Sequence, residues 1–263
     1  MVHSRITAVD LRRPDLRRPF PRRFADRLTG QTVTALDRRA KYLVASLSSG
    51  ETLLMHLGMS GWFHVVLEKP RGRGVRKTSR QDPHDHVVFH MSSGAIVTFN
   101  DPRRFGVMDL LTPEQLADHP TLSRLGPEPL SAAFNATVLA QAVRGKKTSL
   151  KAALLDQRVV AGLGNIYVSE ALHVARLSPQ RKASTIATAS GAPRPAAVRL
   201  AAAIKRVLEE AVARTSKKKR YRSDRFRVYD RAGEPCRHAG CSGVIKQRTQ
   251  GGRSTYYCPV CQR

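Results

Sequence analysis

The chain has 263 residues, enough for one large or two modest domains and a small accessory module. Its 46 Lys and Arg residues against 20 Asp and Glu residues give a net charge of +26, far more than solubility requires. This charge predicts a polyanionic partner, with DNA or RNA first. An anionic membrane surface is the rival partner, but the sequence has no long apolar run and no single strongly amphipathic basic helix.

Short runs of alternating apolar and polar residues fill the first ~110 positions, a pattern typical of an all-β sandwich or barrel. The predicted strands are Arg5–Val9, Val33–Leu36, Tyr42–Leu47, Thr52–Leu57, 86–90, 95–99 and Val107–Leu111. A segment rich in Arg, Gly and Ser, Lys69–Pro83, is predicted to be an exposed loop.

The periodicity then becomes helical. The predicted helices are Pro113–Ala117, Ala132–Val143, Leu150–Gln157, Ile166–Ala175 and Pro195–Ala213. Lys182–Pro193 has few bulky residues and is predicted to be a linker or loop. A basic run, Lys217–Arg227, follows the last helix. Such runs are usually solvated, but the interleaved Tyr221 and Phe226 favour a nucleic-acid contact.

All four cysteines of the chain lie near its C-terminus, as Cys236-x4-Cys241 and Cys258-x2-Cys261. Two close pairs separated by a hairpin-length gap indicate a zinc ribbon, because Zn²⁺ prefers four thiolates in a tetrahedron. Val244–Ile245 and Thr255–Tyr257 are the predicted strands around a Gly251-Gly252 tip, near which lie Arg248, Gln250 and Arg253.

The alternative to zinc is a pair of disulfides in a secreted protein. The rest of the chain lacks cysteine and we see no signal peptide, so we expect one structural Zn²⁺ in a reducing, cytoplasmic compartment. His238 could replace one cysteine as a ligand, but four thiolates suffice.

Three short stretches are candidates for a functional site: His56–Gly61, Asn100–Gly106 and Gly162–Glu170. Each has an ordinary structural explanation. Met59 could be core filler in a turn. Asp101-Pro102 could begin a surface turn, and Asn165 could cap a helix.

Taken together, the three stretches suggest a site for an extruded base. Arg103, Arg104 and Phe105 could place a guanidinium and a ring inside a duplex, with Met59 helping to fill the gap. A helix that opens at Asn165 presents free backbone N–H groups to a phosphate. Positive charge could come from the preceding lysines, which are Lys146, Lys147 and Lys151.

These motifs resemble those of the bacterial formamidopyrimidine-DNA glycosylases, which remove oxidised purines from DNA. In order they are RRAKYL at 38–43, MHLGMSG at 55–61, HDHV at 84–87, NDPRRFG at 100–106, LGPEPL at 125–130, GLGNIYVSEALH at 162–173 and the GRSTYYCPVCQR ending. The sister endonuclease VIII group shares the architecture, but GLGNIYVSE and HLGMSG are more similar to the purine-directed branch.

The resemblance implies an α+β multidomain fold. It has a β-sandwich at 1–112, a helix–two-turn–helix DNA-binding domain at 113–227 and a zinc ribbon hairpin at 228–263, with DNA in the cleft between. It also implies a monomeric enzyme of base excision repair, acting on double-stranded DNA in the bacterial nucleoid.

The resemblance also implies roles for individual residues. Those that fill the void and wedge the base stack are Met59, Arg103 and Phe105. Those that grip phosphates around the damaged nucleotide are Lys41, His56, Asn165 and Arg253. Further backbone contacts are His84, Arg104, Lys146 and Lys147. Lys41 and Arg253 are also implied proton donors in strand cleavage, and Lys151 is implicated in recognising the oxidised base.

The family's chemistry begins at a terminal Pro-Glu-Leu-Pro-Glu stretch. The proline amine attacks C1′ of the damaged nucleotide to form a Schiff base, the adjacent Glu is the general acid, and β- and δ-elimination follow. This sequence starts Met1-Val2-His3-Ser4 and joins the family pattern only near Arg5. We favour a gene start placed too far downstream; the alternative is a catalytically inactive protein that binds damaged or abasic DNA.

A second departure is the short basic segment between Ala213 and Val228, where the family carries a longer Gly-containing loop over the flipped base. This segment leaves the lesion preference open. A third hypothesis, a basic zinc-ribbon protein that binds RNA or ribosomes, fits the charge but not the DPRRFG and GNIY stretches.

Overall fold

The computed structural model describes residues 1–67, 82–215 and 226–263. Most of the predicted Lys69–Pro83 loop and most of the Lys217–Arg227 run lie outside these ranges. The chain forms two compact units, Met1–Ser123 and Arg124–Arg263, with the cysteine-bearing hairpin in the second. The predicted three-domain division stays a prediction. Among the described residues, no helix has the length and apolar character needed to cross a membrane.

The first unit is a sheet structure with two short helices. Its strands are β1 (Ser4–Leu11), β2 (Thr32–Arg39), β3 (Tyr42–Leu47), β4 (Thr52–His56), β5 (Trp62–Leu67), β6 (Asp85–Met91), β7 (Ala95–Asn100) and β8 (Val107–Leu111). Its helices are α1 (Phe24–Leu28) and α2 (Pro113–Ala117). The strand order is β5-β7-β6-β1-β2-β3-β4-β8, and every neighbouring pair is antiparallel.

Strand β1 joins the two halves of this sheet. Ser4 and Arg5 pair with β2, whereas Ile6 and Ala8–Leu11 pair with β6, with a register shift between Ile6 and Ala8. Strands on both sides of β1 bury their apolar residues in one core, which includes Leu53 of β4 and Phe89 of β6. The predicted β-sandwich is therefore confirmed.

Two elements of the first unit were not predicted. Strand β5 lies at the edge of the sheet, and its sequence WFHVVL is largely exposed, so it lacks the alternation that reveals a half-buried strand. Helix α1 has only five residues and is recognisable from its burial of Phe24 and Leu28 rather than from periodicity.

The second unit is helical and ends in the hairpin. Its elements are α3 (Ala136–Val143), α4 (Leu150–Leu155), α5 (Asn165–Val174), a 3-10 helix (Ala183–Ile186), α6 (Pro195–Thr215), β9 (Lys246–Gln250) and β10 (Arg253–Tyr257). Helix α3 begins later than predicted because the Asn135 side chain caps it, accepting the Val138 N–H at 3.0 Å. Helix α5 is central, since it packs on α4, α6 and β10.

The predicted linker Lys182–Pro193 is instead part of the packed structure. Ala183 and Ile186 of the 3-10 helix are fully buried in the helical core. The Ala183 N–H also donates to the Thr148 carbonyl at 2.9 Å. The small side chains allow this segment to pack closely against its neighbours. A lack of bulky residues therefore did not indicate an exposed segment.

The hairpin turns at the predicted tip. Gly251 and Gly252 have φ angles of +57° and +69°, which a two-residue type I′ turn requires. The predicted strand at Val244–Ile245 is wrong, because β9 starts at Lys246. Ile245 is instead buried in a small ribbon core with Val228 and Tyr256.

Candidate nucleic-acid interface and metal site

Two loops of the first unit are packed backbone against backbone, and they are the first two candidate stretches. Gly58 has φ +68°, and a Cβ there would lie 2.5 Å from the Phe105 carbonyl carbon. Only a residue without a side chain permits this approach. Gly58 of HLGMSG therefore lets the loop that follows β4 pack against the loop that precedes β8.

Asp101 ties these loops together from inside. It is fully buried, and its Oδ1 accepts the Ser60 hydroxyl at 2.6 Å while its Oδ2 accepts the Gly106 N–H at 2.7 Å. His86 Nε2 lies 2.9 Å from the Asp101 carbonyl oxygen. A buried carboxylate with both oxygens bonded fixes the two loops in one arrangement.

The joined loops present an exposed apolar pair beside a guanidinium. Met59 is 73% exposed and Phe105 is 40% exposed, although both are large apolar residues. The Arg103 guanidinium lies 4.8 Å from the centroid of the Phe105 ring. The structural explanation of Met59 as core filler is therefore wrong, and the three residues are available to a ligand.

A lysine and a histidine, Lys41 and His56, lie at adjacent ends of β3 and β4. Tyr42, the residue after Lys41, pairs with His56 across β3 and β4. Burial, with the charges of Lys41 and Arg17, lowers the pKa of His56, so its imidazole is neutral at physiological pH. Its Nδ1 accepts the Gly58 N–H at 3.0 Å, which leaves Nε2 as a donor.

Two predicted backbone contacts lie around the same loops. The exposed His84 accepts the Asp101 N–H through its carbonyl oxygen at 2.9 Å. Arg104 has φ +56°, and its Nη1 lies 3.8 Å from a carboxylate oxygen of Asp15. Both are attached to the segment that Asp101 organises.

In the second unit, Asn165 is the first residue of α5 and does not cap it. Gly164 is the N-cap residue, and no side chain bonds there. The Asn165 amide Nδ2 instead donates to the Ser254 carbonyl at 2.9 Å. The expected capping by Asn165 is wrong, because its side chain reaches the hairpin. The first turn of α5 leaves backbone N–H groups without helical acceptors.

Lys151 joins the same carbonyl from α4. It is only 1% exposed, and its Nζ donates to the Ser254 carbonyl at 2.8 Å and to the Thr255 hydroxyl at 2.6 Å. Burial, with the nearby charge of Arg253, lowers the pKa of Lys151 to about 8. A direct contact of Lys151 with a base stays a prediction, whereas its contact with β10 is part of the structure.

These bonds place Arg253 at the start of β10, next to the doubly bonded Ser254. Arg253 is exposed and lines a pocket of ≈ 250 Å³ with Lys151, Gln250 and Asp156. The structure therefore gathers three predicted residues, Lys151, Asn165 and Arg253, around one carbonyl group. The predicted Lys146 and Lys147 lie further away along the chain, directly after the positive-φ Gly145.

The four cysteine sulfurs converge on one point. All four Sγ atoms lie within 4.8 Å of one another, with Cys236 and Cys261 at 3.8 Å and Cys241 and Cys258 at 3.6 Å. A tetrahedral Zn²⁺ with Zn–S bonds of about 2.3 Å has S···S edges of about 3.8 Å. A disulfide would need about 2.05 Å. The cysteines therefore fit one structural zinc ion.

Backbone donors complete the metal site from within the ribbon. The His238 N–H points to Cys236 Sγ at 3.4 Å, and the Gly243 N–H points to Cys241 Sγ at 3.4 Å. The His238 side chain contacts Arg176 and is not among the converging ligand atoms of the described residues. This supports four thiolates as the ligand set.

Comparisons with known proteins match the whole length of the chain. Residues 1–108 match the formamidopyrimidine-DNA glycosylase N-terminal domain, residues 125–223 its H2TH domain, and residues 233–263 the zinc finger found in FPG and IleRS. The chain is 56% identical over 278 residues to a formamidopyrimidine-DNA glycosylase of Rhodopseudomonas palustris, covering 100% of this chain and 94% of that protein. It is 54% identical to that of Azorhizobium caulinodans, with 98% and 92% covered.

The chain belongs to the formamidopyrimidine-DNA glycosylase family. Members are DNA repair glycosylases, and the predicted fold class is the family's. A Lactococcus lactis family member bound to FAPY-dG-containing DNA has a TM-score of 0.84 and 25% identity, covering 100% of this chain and 94% of that one. The same enzyme bound to DNA with an abasic site has a TM-score of 0.83 and 26% identity, with the same coverage.

Sequence reasoning missed two family-motif residues that hold the ribbon. Glu170 is buried, and its carboxylate accepts three backbone N–H groups, those of 227, 228 and 229, at 2.8–3.0 Å. His173 is buried beside Cys236. Both lie in GLGNIYVSEALH, so the signal was a charged and an imidazole side chain in an otherwise apolar helix.

The nucleic-acid contact that the sequence favoured for Phe226 is also wrong. Phe226 is only 6% exposed and packs edge-on against the Tyr229 ring, with centroids 5.8 Å apart. Its ring is therefore not available to a base. Tyr221 lies outside the described residues.

Proposed function

We propose that this protein removes oxidised purines, such as 8-oxoguanine and formamidopyrimidines, from double-stranded DNA and then cleaves the strand at the abasic site. One observation carries the proposal: the two loops joined by Asp101 expose Met59 and Phe105 beside Arg103. Exposed apolar side chains on rigid loops are suited to replace a base that leaves the stack.

The physical reason lies in the void that base extrusion creates. Unstacking and unpairing a base costs a few kcal/mol, and side chains that fill the gap reduce this cost. A thioether and an aromatic ring can stack on neighbouring bases, while the Arg103 guanidinium can bond to the unpaired opposite base. Rigid loops matter because a wedge that must first be ordered would lose affinity.

Each unit, taken by itself, has donors suited to contact DNA phosphates. In the first unit the neutral His56 has an Nε2–H donor and lies near the charge of Lys41. In the second, the opening turn of α5 and the exposed Arg253 surround the Ser254 carbonyl. Lys41 and Arg253 are the proposed proton donors for strand cleavage. The net charge of +26 favours association with DNA.

The proposed chemistry needs an amine that attacks C1′ of the damaged nucleotide while the base leaves with a proton from a general acid. The C1′–O4′ bond of the sugar then breaks, with a proton going to O4′, and this leaves an iminium ion from which elimination breaks the strand. In the family the amine belongs to a terminal proline followed by Glu. Whether the chemical step needs a Pro-Glu-Leu-Pro-Glu stretch ahead of Met1 is the question that the following test asks.

Borohydride trapping on an 8-oxoguanine duplex tests this proposal, because it reduces the iminium ion to a stable covalent adduct. Two forms are compared: the 263-residue chain and the chain extended through the in-frame upstream codons. We expect an adduct from the extended form only, and tight binding of an abasic-analogue duplex by both. No adduct from the extended form would refute excision.

The control substrates separate the remaining alternatives. An undamaged duplex should give no adduct with either form. An adduct from the 263-residue chain would show that another amine, such as a lysine, does the chemistry. Equal competition by RNA at matched salt would favour the RNA-binding alternative. We infer that the protein binds its DNA substrate as a monomer. We also infer that it acts on the bacterial nucleoid in the cytoplasm.

A further inference from the structure

Helix α5 contacts the C-terminal zinc-finger segment at three levels. At its start Asn165 bonds to the Ser254 carbonyl of β10. One and a half turns later Glu170 accepts three backbone N–H groups of residues 227–229. Near its end His173 reaches Cys236. Residues 165 and 173 are about 12 Å apart along a helix, so α5 connects the metal-binding end of the ribbon with its hairpin.

The His173 contact has a defined direction. The side chain is 5% exposed, and its Nε2 lies 3.3 Å from Cys236 Sγ. Its Nδ1 is buried and has no hydrogen-bond partner among the described residues. A metal-bound thiolate has no proton to give, so the imidazole must donate. The tautomer that carries its proton on Nε2 can donate to the thiolate. In this tautomer Nδ1 has no proton, so no N–H donor is buried there.

We propose that His173 is an outer-shell ligand of the structural metal, whose Nε2–H donates to the Cys236 thiolate and so couples the metal site to α5 and its Asn165–Ser254 contact. His173 is thereby a positioning residue: it touches neither DNA nor the reacting atoms. The link to DNA binding rests on the proposed function, whereas the metal contact does not.

Charge balance supports this role. Four thiolates and one Zn²⁺ carry a net charge of −2, which nearby donors stabilise. The His238 and Gly243 N–H groups supply such donors from the ribbon itself. His173 supplies one from the helical part of the unit, so its bond also fixes the ribbon to α5. Cys236 thus receives a donor from each side.

The experiment compares His173→Phe, which keeps a ring without a donor, with His173→Gln, which keeps a donor near the Nε2 position. His90→Phe is the matched control, since His90 lies in β6 of the other unit and bonds to Asp10 there. The proteins are loaded with Co²⁺ for spectroscopy, and Zn²⁺ affinity is measured by chelator competition. Circular dichroism checks folding.

We expect His173→Phe to lower Zn²⁺ affinity 10- to 100-fold and to move the sulfur-to-Co²⁺ charge-transfer band to lower energy, because the thiolate loses a donor. His173→Gln should recover most of both, and His90→Phe should match the parent.

Parental affinity and band position in His173→Phe would overturn the proposal. So would a Gln variant no better than Phe, or Co²⁺ d–d bands showing that His173 is itself a ligand. If His173→Phe does not fold, the Gln variant decides by its band position: a parental band supports the donor, a shifted band contradicts it.

The coupling to DNA has its own measurement. Binding of an abasic-analogue duplex by His173→Phe should weaken at limiting Zn²⁺ and recover at saturating Zn²⁺. DNA affinity independent of Zn²⁺ in that variant would contradict the coupling while leaving the metal readouts valid. If the parent chain bound no DNA at all, the proposed function would fail but the metal contact would still be tested.

Discussion

At the residue scale, one buried carboxylate organises the loops that carry the proposed wedge residues. Asp101 is fully buried and bonds through both oxygens to groups on two loops, Ser60 and Gly106. A turn beginning with Asp-Pro is ordinary on a surface, and that was the structural alternative for this stretch. Burial of the charge with its partners is what distinguishes an organising residue from a solvated turn.

Asp101→Asn should therefore destabilise the protein. One carboxylate oxygen becomes an NH₂ group, which cannot accept from Ser60 or Gly106, and an unsatisfied buried donor costs about 1–3 kcal/mol. We expect this loss in the free energy of unfolding from urea denaturation, with weaker binding of abasic-analogue DNA. Asp26→Asn is the control, because Asp26 is exposed and pairs with the exposed Arg23; it should change stability by less than about 0.5 kcal/mol. Equal stability of the two variants would contradict the assigned role of Asp101.

At the element scale, the joint between the two loops depends on a glycine at close range. Gly58 has a positive φ and also meets the Phe105 backbone where a Cβ would stand. Gly50, in the turn between β3 and β4, has φ +85° but nothing within 4 Å of such a Cβ. Substitutions at the two glycines therefore distinguish two effects. Both positions report the cost of backbone strain, but only Gly58 also reports the packing between the loops.

Gly58→Ala and Gly50→Ala form a matched pair for this reason. Both should lose about 1–2 kcal/mol of stability from alanine at positive φ. Only Gly58→Ala must also push the loops apart, so it alone should reduce affinity for an abasic-analogue duplex, by about tenfold or more, a loss of at least ~1.4 kcal/mol. Thermal unfolding and fluorescence anisotropy measure the two effects. An equal affinity of both variants for the duplex would show that the loop contact does not position the wedge.

At the scale of the whole molecule, the metal links the folding of the C-terminal segment to the DNA contacts proposed for it. Four thiolates gather residues 236–261 around one point, and a hairpin this small depends on its metal for folding. That hairpin carries Arg253 and receives Lys151 and Asn165 at Ser254. Loss of zinc should therefore remove the proposed DNA contacts of the hairpin, although no contacting residue is itself changed.

Cys258→Ser should lose tight DNA binding together with ribbon folding. We expect the same result when a strong chelator is added to the parent chain, and recovery when Zn²⁺ is restored to the parent but not to the variant. Filter binding or anisotropy with abasic-analogue DNA measures affinity, and near-ultraviolet circular dichroism of the ribbon tyrosines follows folding. Tight binding by Cys258→Ser would mean that the hairpin does not contribute.

The sequence alone determined the features that are local in the chain. The cysteine spacing predicted the zinc ligands, period-two and helical patterns predicted most strands and helices, and a pair of glycines predicted the hairpin tip. Each of these depends on residues that are neighbours in sequence, so pattern and spacing contain the necessary information. The edge strand β5 was missed because its exposed residues impose no alternation.

Only the tertiary structure decided which side chains meet across long separations. Asp101 reaches Ser60 over 41 positions, Lys151 reaches Ser254 over 103, and His173 reaches Cys236 over 63. A buried polar group must find a partner, but the sequence does not say which one, because folding and not spacing brings the candidates within hydrogen-bond distance. The fold also moved Asn165 from a capping role to the hairpin, and Phe226 from an exposed to a buried position.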